Sequence, residues 1–395
     1  MSVASAASSG ARLRSLACVI ASVTLATLNY GLTFPLLALI LERQGIDKSL
    51  IGLSTAATAM ATIVAAPISG RLMQAASPRR LLLGAMVISA LVYVLLPTFP
   101  DYWAWFPLRF ILGCCGSVIW VASEAWINSM APDEKRGRII AIYATASSGG
   151  MAIGPLLLLV TGSSGYPPFL VAASFSLVGC LITLLAGSAV PRLEGRASVH
   201  FLRFLLLAPM PFLLNLLFAA VGEAFHTFFA IYALDHGAGE QRAFTIMTVM
   251  SLGGIALQYP LGWLADHMNR RLLLLLCTVI SIGGFLIVPF AINADLIGMV
   301  LFFVAGGIFA VLYSLGVIML GERFAGTDLA TASAVFTLMW GLGTLGGPVI
   351  AGAAMDHLGP RGLIWTAVVF LVLFLPIPAA AWIRSLRRGA ATEEK

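Results

Sequence analysis

Twelve apolar stretches, each long enough to cross a bilayer, constrain this chain more than any other feature. A spanning helix needs roughly 20 such residues, and the stretches fall at 16 to 41, 50 to 73, 80 to 98, 103 to 127, 138 to 161, 167 to 190, 206 to 233, 243 to 264, 271 to 291, 295 to 319, 329 to 354 and 363 to 384. Inside lipid every backbone N–H and C=O must be satisfied within its own segment, so these stretches are expected as helices. A soluble domain carries about a quarter charged residues, whereas this chain has 10% charged and 60% hydrophobic residues and a mean hydropathy of +0.98. The expected class is an all-α integral membrane protein with twelve transmembrane helices.

The stretches come as two sets of six. Gly150-Met-Ala-Ile-Gly154-Pro155 recurs as Gly343-Thr-Leu-Gly346-Gly347-Pro348, 193 positions on. Gly70, ahead of Arg79 and Arg80, recurs as Gly262, ahead of Asp266, Arg270 and Arg271, at an offset of 192. The polar segment at 191–205 separates the halves, giving expected domains of 1–195 and 196–395 related by pseudo-symmetry. Internal repeats in an apolar chain are the signature of secondary transporters, which hold substrate between two halves and rock one against the other.

Charge sets the expected orientation. With both termini inside, eighteen of the 23 lysines and arginines fall in cytoplasmic segments and four in outside loops, and Arg109 lies within a helix. That asymmetry places both termini in the cytoplasm of a bacterial inner membrane. The net charge of +6 is thus topological, and no basic cluster with interleaved aromatics suggests nucleic acid. All five cysteines lie in apolar segments, with no metal-ligand spacing. No Gly-x-x-x-x-Gly-Lys-Ser/Thr run and no room for a nucleotide-binding domain appear, so neither cofactor nor self-driven ATP hydrolysis is expected.

Gly262-Trp-Leu-Ala-Asp266-His-Met-Asn-Arg270-Arg271 resembles the loop signature of the major facilitator superfamily. The resemblance implies a twelve-helix fold with a cytoplasmic gate, in which Gly262 allows close helix approach and Asp266 pairs with basic groups or a helix N-terminus when that side is shut. The match departs at His267 and Asn269, and in the first half Gln74 stands where the acid belongs. Any charged latch should therefore centre on Asp266, against the alternative of an ordinary turn. Arg109-Phe-Ile-Leu-Gly113 resembles the superfamily's Arg-x-x-x-Gly element of helix 4. With Trp120-Val-Ala-Ser-Glu124-Ala-Trp126 and the following Arg-Gly-Arg loop, it is similar to uncharacterised bacterial members of the YcaD type.

On helix 4, Arg109, Gly113, Trp120 and Glu124 recur at helical spacing on one face, expected to line the substrate path. An ion in hydrocarbon costs several kcal/mol unless it is functional or paired. Arg109 is read either as an anion or coupling partner or as snorkelling to outer headgroups. For Glu124, the two indoles beside it suggest an organic cation or amphiphile; the alternative is a tie to Arg136 or Arg138.

On helix 7, Glu223 and His226 are neighbours at i, i+3 near mid-membrane, where low dielectric favours the neutral form of both. A carboxyl group that exchanges its proton between two sides suffices as a coupling site; the alternative is that the pair satisfies itself or Asn29. At the 193-residue offset Glu223 matches Tyr30, beside Asn29, so helix 1 supplies a polar pair to the same path.

The expectation is a monomeric secondary active transporter, not an enzyme, moving a small organic, amphipathic or weakly ionic molecule by alternating access, with protons as coupling ion and efflux as direction. In helix 5 the Gly-x-x-x-Gly-Pro element resembles the antiporter signature of drug:proton exchangers, although helix 11 carries an equal copy and both have packing reasons. The alternatives are an uncoupled facilitator or an uptake carrier. An intramembrane enzyme lacks His-Glu-x-x-His or Gly-x-Ser-x-Gly, and a receptor is disfavoured by short expected tails.

Overall fold

The computed structural model describes residues 9–132, 135–186, 205–324 and 326–393, and its long elements are all helical. They are α1 (Ser9–Arg43), α2 (Lys48–Ala75), α3 (Pro78–Thr98), α4 (Tyr102–Met130), α5 (Arg136–Thr161), α6 (Pro167–Leu185), α7 (Pro209–Asp235), α8 (Glu240–His267), α9 (Arg270–Ala291), α10 (Leu296–Arg323), α11 (Gly326–Leu358), α12 (Gly362–Phe374) and α13 (Pro376–Glu393). Twelve spans among the described residues are long and apolar enough to cross a membrane, the last running from Gly362 to Arg384 across both α12 and α13. At that junction Leu375 keeps helical dihedrals, so Pro376 interrupts the hydrogen-bond ladder without ending the span.

Helix ends pass beyond the apolar stretches where polar groups hold them. Ser77 caps α3 by accepting from the Arg80 N–H, and Asp101 caps α4 by accepting from the Trp103 and Ala104 N–H groups. Asn269 caps α9 by accepting from Arg271 N–H.

The chain divides into two compact units: Met1–Ile46 with Leu53–Arg196, and Asp47–Gly52 with Ala197–Lys395. The boundary expected between 195 and 196 lies outside the described residues. In the first unit α1 packs on α4, α5 and α6, and α3 packs on α4 and α6. The second unit repeats these pairings, α7 on α10, α11 and α12, and α9 on α10 and α12.

The repeat extends to individual atoms. A Cβ added to Gly150 or Gly154 would overlap the α1 backbone at Thr24 or Gly31, and one added to Gly343 or Gly347 would overlap the α7 backbone at Leu216 or Ala220. Gly113 of α4 sits on the Thr58 carbonyl of α2 in the same way, and Gly306 of α10, 193 positions later, sits on the Met250 carbonyl of α8. Small residues let helices approach closely where lipid provides no hydrophobic drive between them. At Gly262, by contrast, a Cβ would meet nothing within 4 Å. Among the described residues no close helix approach is made at that point.

Side-chain amides tie the helices within each unit. Asn29 Nδ2 donates to the Ala172 carbonyl and to Ser176 Oγ of α6, both at 3.0 Å, and Asn215 Nδ2 donates to the Phe336 carbonyl at 2.6 Å. The first turn of α2, grouped with the second unit, is capped from α11: Lys48 N–H donates to Asp356 Oδ1 at 2.9 Å and Ser49 N–H to Oδ2 at 2.8 Å. A lost N-cap costs about 1 kcal/mol. Asp356→Ala should therefore lower the thermal unfolding temperature of the purified protein, and Asp356→Asn, which keeps one acceptor, should lower it less.

Candidate functional site

Helix 4 divides its polar residues between interior and surface. Arg109 is only 2% exposed; its Nη1 donates to Ser54 Oγ at 3.2 Å and its Nη2 to Thr55 Oγ1 at 3.1 Å, both on α2. It does not snorkel outward. With Asn29, Tyr30, Thr33, Tyr93 and Ser176 it lines an internal cavity of about 30 Å³, room for about one water. Gly116 makes space there for the Tyr30 hydroxyl, and the Tyr30 ring stacks on Phe34 with centroids 5.4 Å apart.

Farther along α4, Trp120 is 44% exposed, and Glu124, one turn on, is exposed as well. Trp120 and Glu124 stand four residues apart, so their side chains are neighbours on one face of α4. The Trp120 ring lies 5.7 Å from that of Tyr143 on α5, tilted by 50°, and the Tyr143 hydroxyl is 3.2 Å from Ser123 Oγ. Trp126 does not join this surface. It is fully buried, and its Nε1 donates to Ser15 Oγ at 3.1 Å. The expectation of two indoles beside Glu124 is thus corrected to one: six residues turn Trp126 about 120° around the helix from Trp120.

In the second unit Glu223 stands fourteen residues after the start of α7 and twelve before its end, so it is central to its span. Its side chain and that of His226 are half-buried. Thr227 Oγ1 donates to the Glu223 carbonyl at 2.8 Å, fixing that hydroxyl along the helix. Beside Glu223, Gly222 leaves the α7 surface open, the nearest atom to a Cβ there being a Phe309 ring carbon at 4.0 Å.

At the arginine-rich end of this unit, Arg270 pairs with Asp266 at 3.3 Å and with Glu322 of α10, and its Nε donates to the Ala265 carbonyl. Asp266 and Arg270 thus join α8, α9 and α10. Together with Arg271, Arg323 and Met319 they line a cleft of about 660 Å³. Of the first-half counterparts, Gly70 and the side chain of Gln74 lie outside the described residues, Pro78 stands where α9 has Arg270, and Arg79, the counterpart of Arg271, donates from Nη2 to the Leu184 carbonyl at 2.6 Å.

The sequence reading missed a ring cluster on α7, α10 and α11. Phe218 stacks on Phe309 at 4.9 Å, and Phe218, Tyr313 and Trp340 lie 5.6 to 5.7 Å from one another. The signal that finds it is the repeat: Tyr313 and Phe336 stand 193 positions after Trp120 and Tyr143. Tyr313 and Phe336 are 5.8 Å apart and tilted by 49°, the geometry of the first-half pair.

Among the described residues no group of three or more His, Cys, Asp or Glu side chains is placed to hold a metal ion.

A family model described as Major Facilitator Superfamily matches residues 19–239 and 211–395. The Bacillus subtilis uncharacterized MFS-type transporter YfkF is 25% identical over 354 residues, which cover 87% of this chain and 89% of that protein. The Salmonella enteritidis uncharacterized MFS-type transporter YcaD is 23% identical over 342 residues, 86% of this chain and 88% of its own. Among solved structures, the chain is similar to a bacterial homolog of the human lysosomal transporter Spinster, with a TM-score of 0.75, 16% identity, and coverage of 95% and 96%. It is similar also to the nucleoside transporter NupG, with a TM-score of 0.74, 14% identity, and coverage of 94% and 98%. At these identities the structures share the fold.

Proposed function

The chain belongs to the major facilitator superfamily, a family of transporters, and from that premise we propose that it is a secondary active carrier that moves a small organic molecule by alternating access, coupled to protons. The observation that carries this reading is Glu223, a half-buried carboxyl group at the midpoint of an apolar span with a histidine one turn away. An acid at that depth is costly in hydrocarbon and is retained where it binds a proton or an ion in transit. Glu223 takes the proton, and His226 modulates it. Trp120, Glu124 and Tyr30 serve the substrate path, with Arg109 and Asn29 shaping the polar interior behind Tyr30. Asp266, Arg270, Arg271 and Gly262 belong to the gate, and both termini lie on the cytoplasmic side of a bacterial inner membrane, where the protein works as a monomer.

Efflux is the proposed direction, on the likeness of the α5 element to the antiporter signature. Uptake is the second reading, favoured by one observation: the α11 copy packs on α7 as the α5 copy packs on α1, so the motif has a packing role independent of direction.

The test is purified protein in liposomes, exposed to a panel of labelled organic solutes under imposed pH gradients. Uphill accumulation that vanishes with a protonophore is the expected result. Accumulation that survives collapse of the pH gradient, and requires sodium, overturns the proton assignment; equal rates with and without any gradient overturn active transport.

A further inference from the structure

Asp356 belongs to a contact that the two halves do not share. Its carboxylate accepts from the Lys48 and Ser49 N–H groups of α2, and two glycines bring the helices together beside it. A Cβ on Gly52 would fall on the Pro348 carbonyl of α11, and one on Gly352 would fall on the Lys48 carbonyl of α2. Residues 48 and 52, like 348, 352 and 356, recur at four-residue spacing, so each helix turns a single face to the other. The glycine contacts of α4 and α5 repeat in α10 and α11, but this one does not. At the 193-residue offset Thr245, Leu159 and Ser163 stand for Gly52, Gly352 and Asp356. Thr245 and Leu159 are exposed where both glycines are buried, and Ser163 accepts from Arg43 instead, through its carbonyl and its hydroxyl, each at 2.7 Å. A contact needed to hold a six-helix unit together would be expected in both.

The contact also falls where α2 changes company. Its first turn, through Gly52, groups with the second unit and Leu53 onward groups with the first, although the helix runs unbroken from Lys48 to Ala75. Movement of one unit against the other, which alternating access requires, therefore has two outlets: the helix breaks after Gly52, or its first turn leaves α11. Breaking the helix strips backbone groups of their partners in an apolar segment, where nothing replaces them. Leaving α11 is easier. Asp356 is exposed, so water takes up the carboxylate and the two N–H groups as they part, and exchanging such bonds for bonds to water changes the free energy little. The glycines have no side chains to disengage.

We propose that Asp356 and the first turn of α2 form a latch that holds the outer face shut and is released each time the carrier opens outward. The start of the second span and the end of the eleventh lie opposite the termini, and so outside in the orientation given above. The proposal rests on the carrier reading and adds to it the contact that one of its states must break. Its first test is a reversible tether in the full-length chain: Ser49→Cys with Asp356→Cys, joined by a short bifunctional methanethiosulfonate and released by dithiothreitol. Each single variant is treated alike, to control for the five native cysteines. Substrate exchange in liposomes should stop in the tethered protein and return on reduction. Exchange at the untethered rate in the tethered protein overturns the latch, and so does a reduced double variant that folds but cannot exchange, since a latch is not needed for movement itself.

A second readout needs no transport. Ile51 is fully buried, three residues from Lys48 and so on the same side of α2. Replaced by cysteine, it should react with a water-soluble maleimide in nanodiscs at a rate set by the fraction of molecules released. Loss of an N-cap is worth about fivefold in that fraction, so Asp356→Ala should speed the labelling by about fivefold and Asp356→Asn by less. Unchanged labelling in Asp356→Ala overturns the latch. The carrier reading fails separately: a protein that moves no solute, tethered or free, but labels faster without Asp356 loses transport and keeps the releasable contact, whereas transport indifferent to the tether does the reverse.

Discussion

Glu223→Gln is expected to reduce uphill accumulation to simple equilibration. A gradient of one pH unit is worth about 1.4 kcal/mol per proton, so one-for-one coupling sustains an inside-to-outside ratio of about ten; without the proton site that ratio should fall to about one. Glutamine keeps the shape and hydrogen-bonding capacity of the side chain and removes only its ionisation. The protein should therefore fold, and exchange of labelled for unlabelled substrate across liposomes without a gradient should continue. His226→Gln leaves the carboxyl group in place, so accumulation should persist at an altered rate. A wild-type ratio in Glu223→Gln would place coupling elsewhere, Glu124 being the next acid to test because it is the other carboxylate proposed for the transport path.

Much of this architecture is legible from the sequence because the bilayer enforces it. The long apolar stretches stand out against 10% charged residues, and each is matched by a span. Helix ends are less legible. The apolar stretch of α1 begins at 16 and the helix at Ser9, and that of α11 ends at 354 and the helix at Leu358, since hydropathy marks the hydrocarbon boundary and not the last hydrogen bond. The four-residue glycine spacing is readable because only a helix puts such residues on one face, but spacing alone does not tell Gly262, with nothing opposite, from Gly113, set against a carbonyl. The neighbour makes that difference, and it lies on another helix.

The site is legible where one helix carries it. Trp120 and Glu124 are one turn apart, and both are at the surface of α4; Trp126 could have been excluded by its angle. The ring cluster draws on three helices whose rings share no period, so only the repeat connects them. Phe218 and Trp340 are 122 positions apart in the chain and meet because α7 and α11 pack through Gly343 and Gly347.

That packing yields the second large effect, in two adjacent glycines with opposite outcomes. A Cβ on Gly347 would fall on the Ala220 carbonyl of α7, whereas one on Gly346 meets nothing within 4 Å. The obstacle at Gly347 is backbone, which cannot swing aside as a side-chain end can. Overpacking a close contact costs about 1 to 3 kcal/mol for small additions, and valine, with two further carbons in that gap, should exceed this range. Gly347→Val is therefore expected to be recovered poorly and to unfold well below the wild type, with Gly347→Ala between them.

Gly346→Ala faces open space in a helix interior, where alanine is favoured over glycine by up to about 1 kcal/mol, so its unfolding temperature should match or exceed that of the wild type. The first half supplies an independent copy of the experiment: Gly150 abuts the Thr24 carbonyl, and Gly149 has no neighbour. Thermal unfolding and size-exclusion profiles of the four alanine variants decide the matter, and equal behaviour within each pair would refute the close approach. Ala220 lies three residues before Glu223, so displacing α7 at that carbonyl also moves the proposed proton site. A folded Gly347→Ala protein should consequently accumulate substrate to a lower ratio than Gly346→Ala, whereas a glycine serving stability alone would leave the ratios of the folded fractions equal.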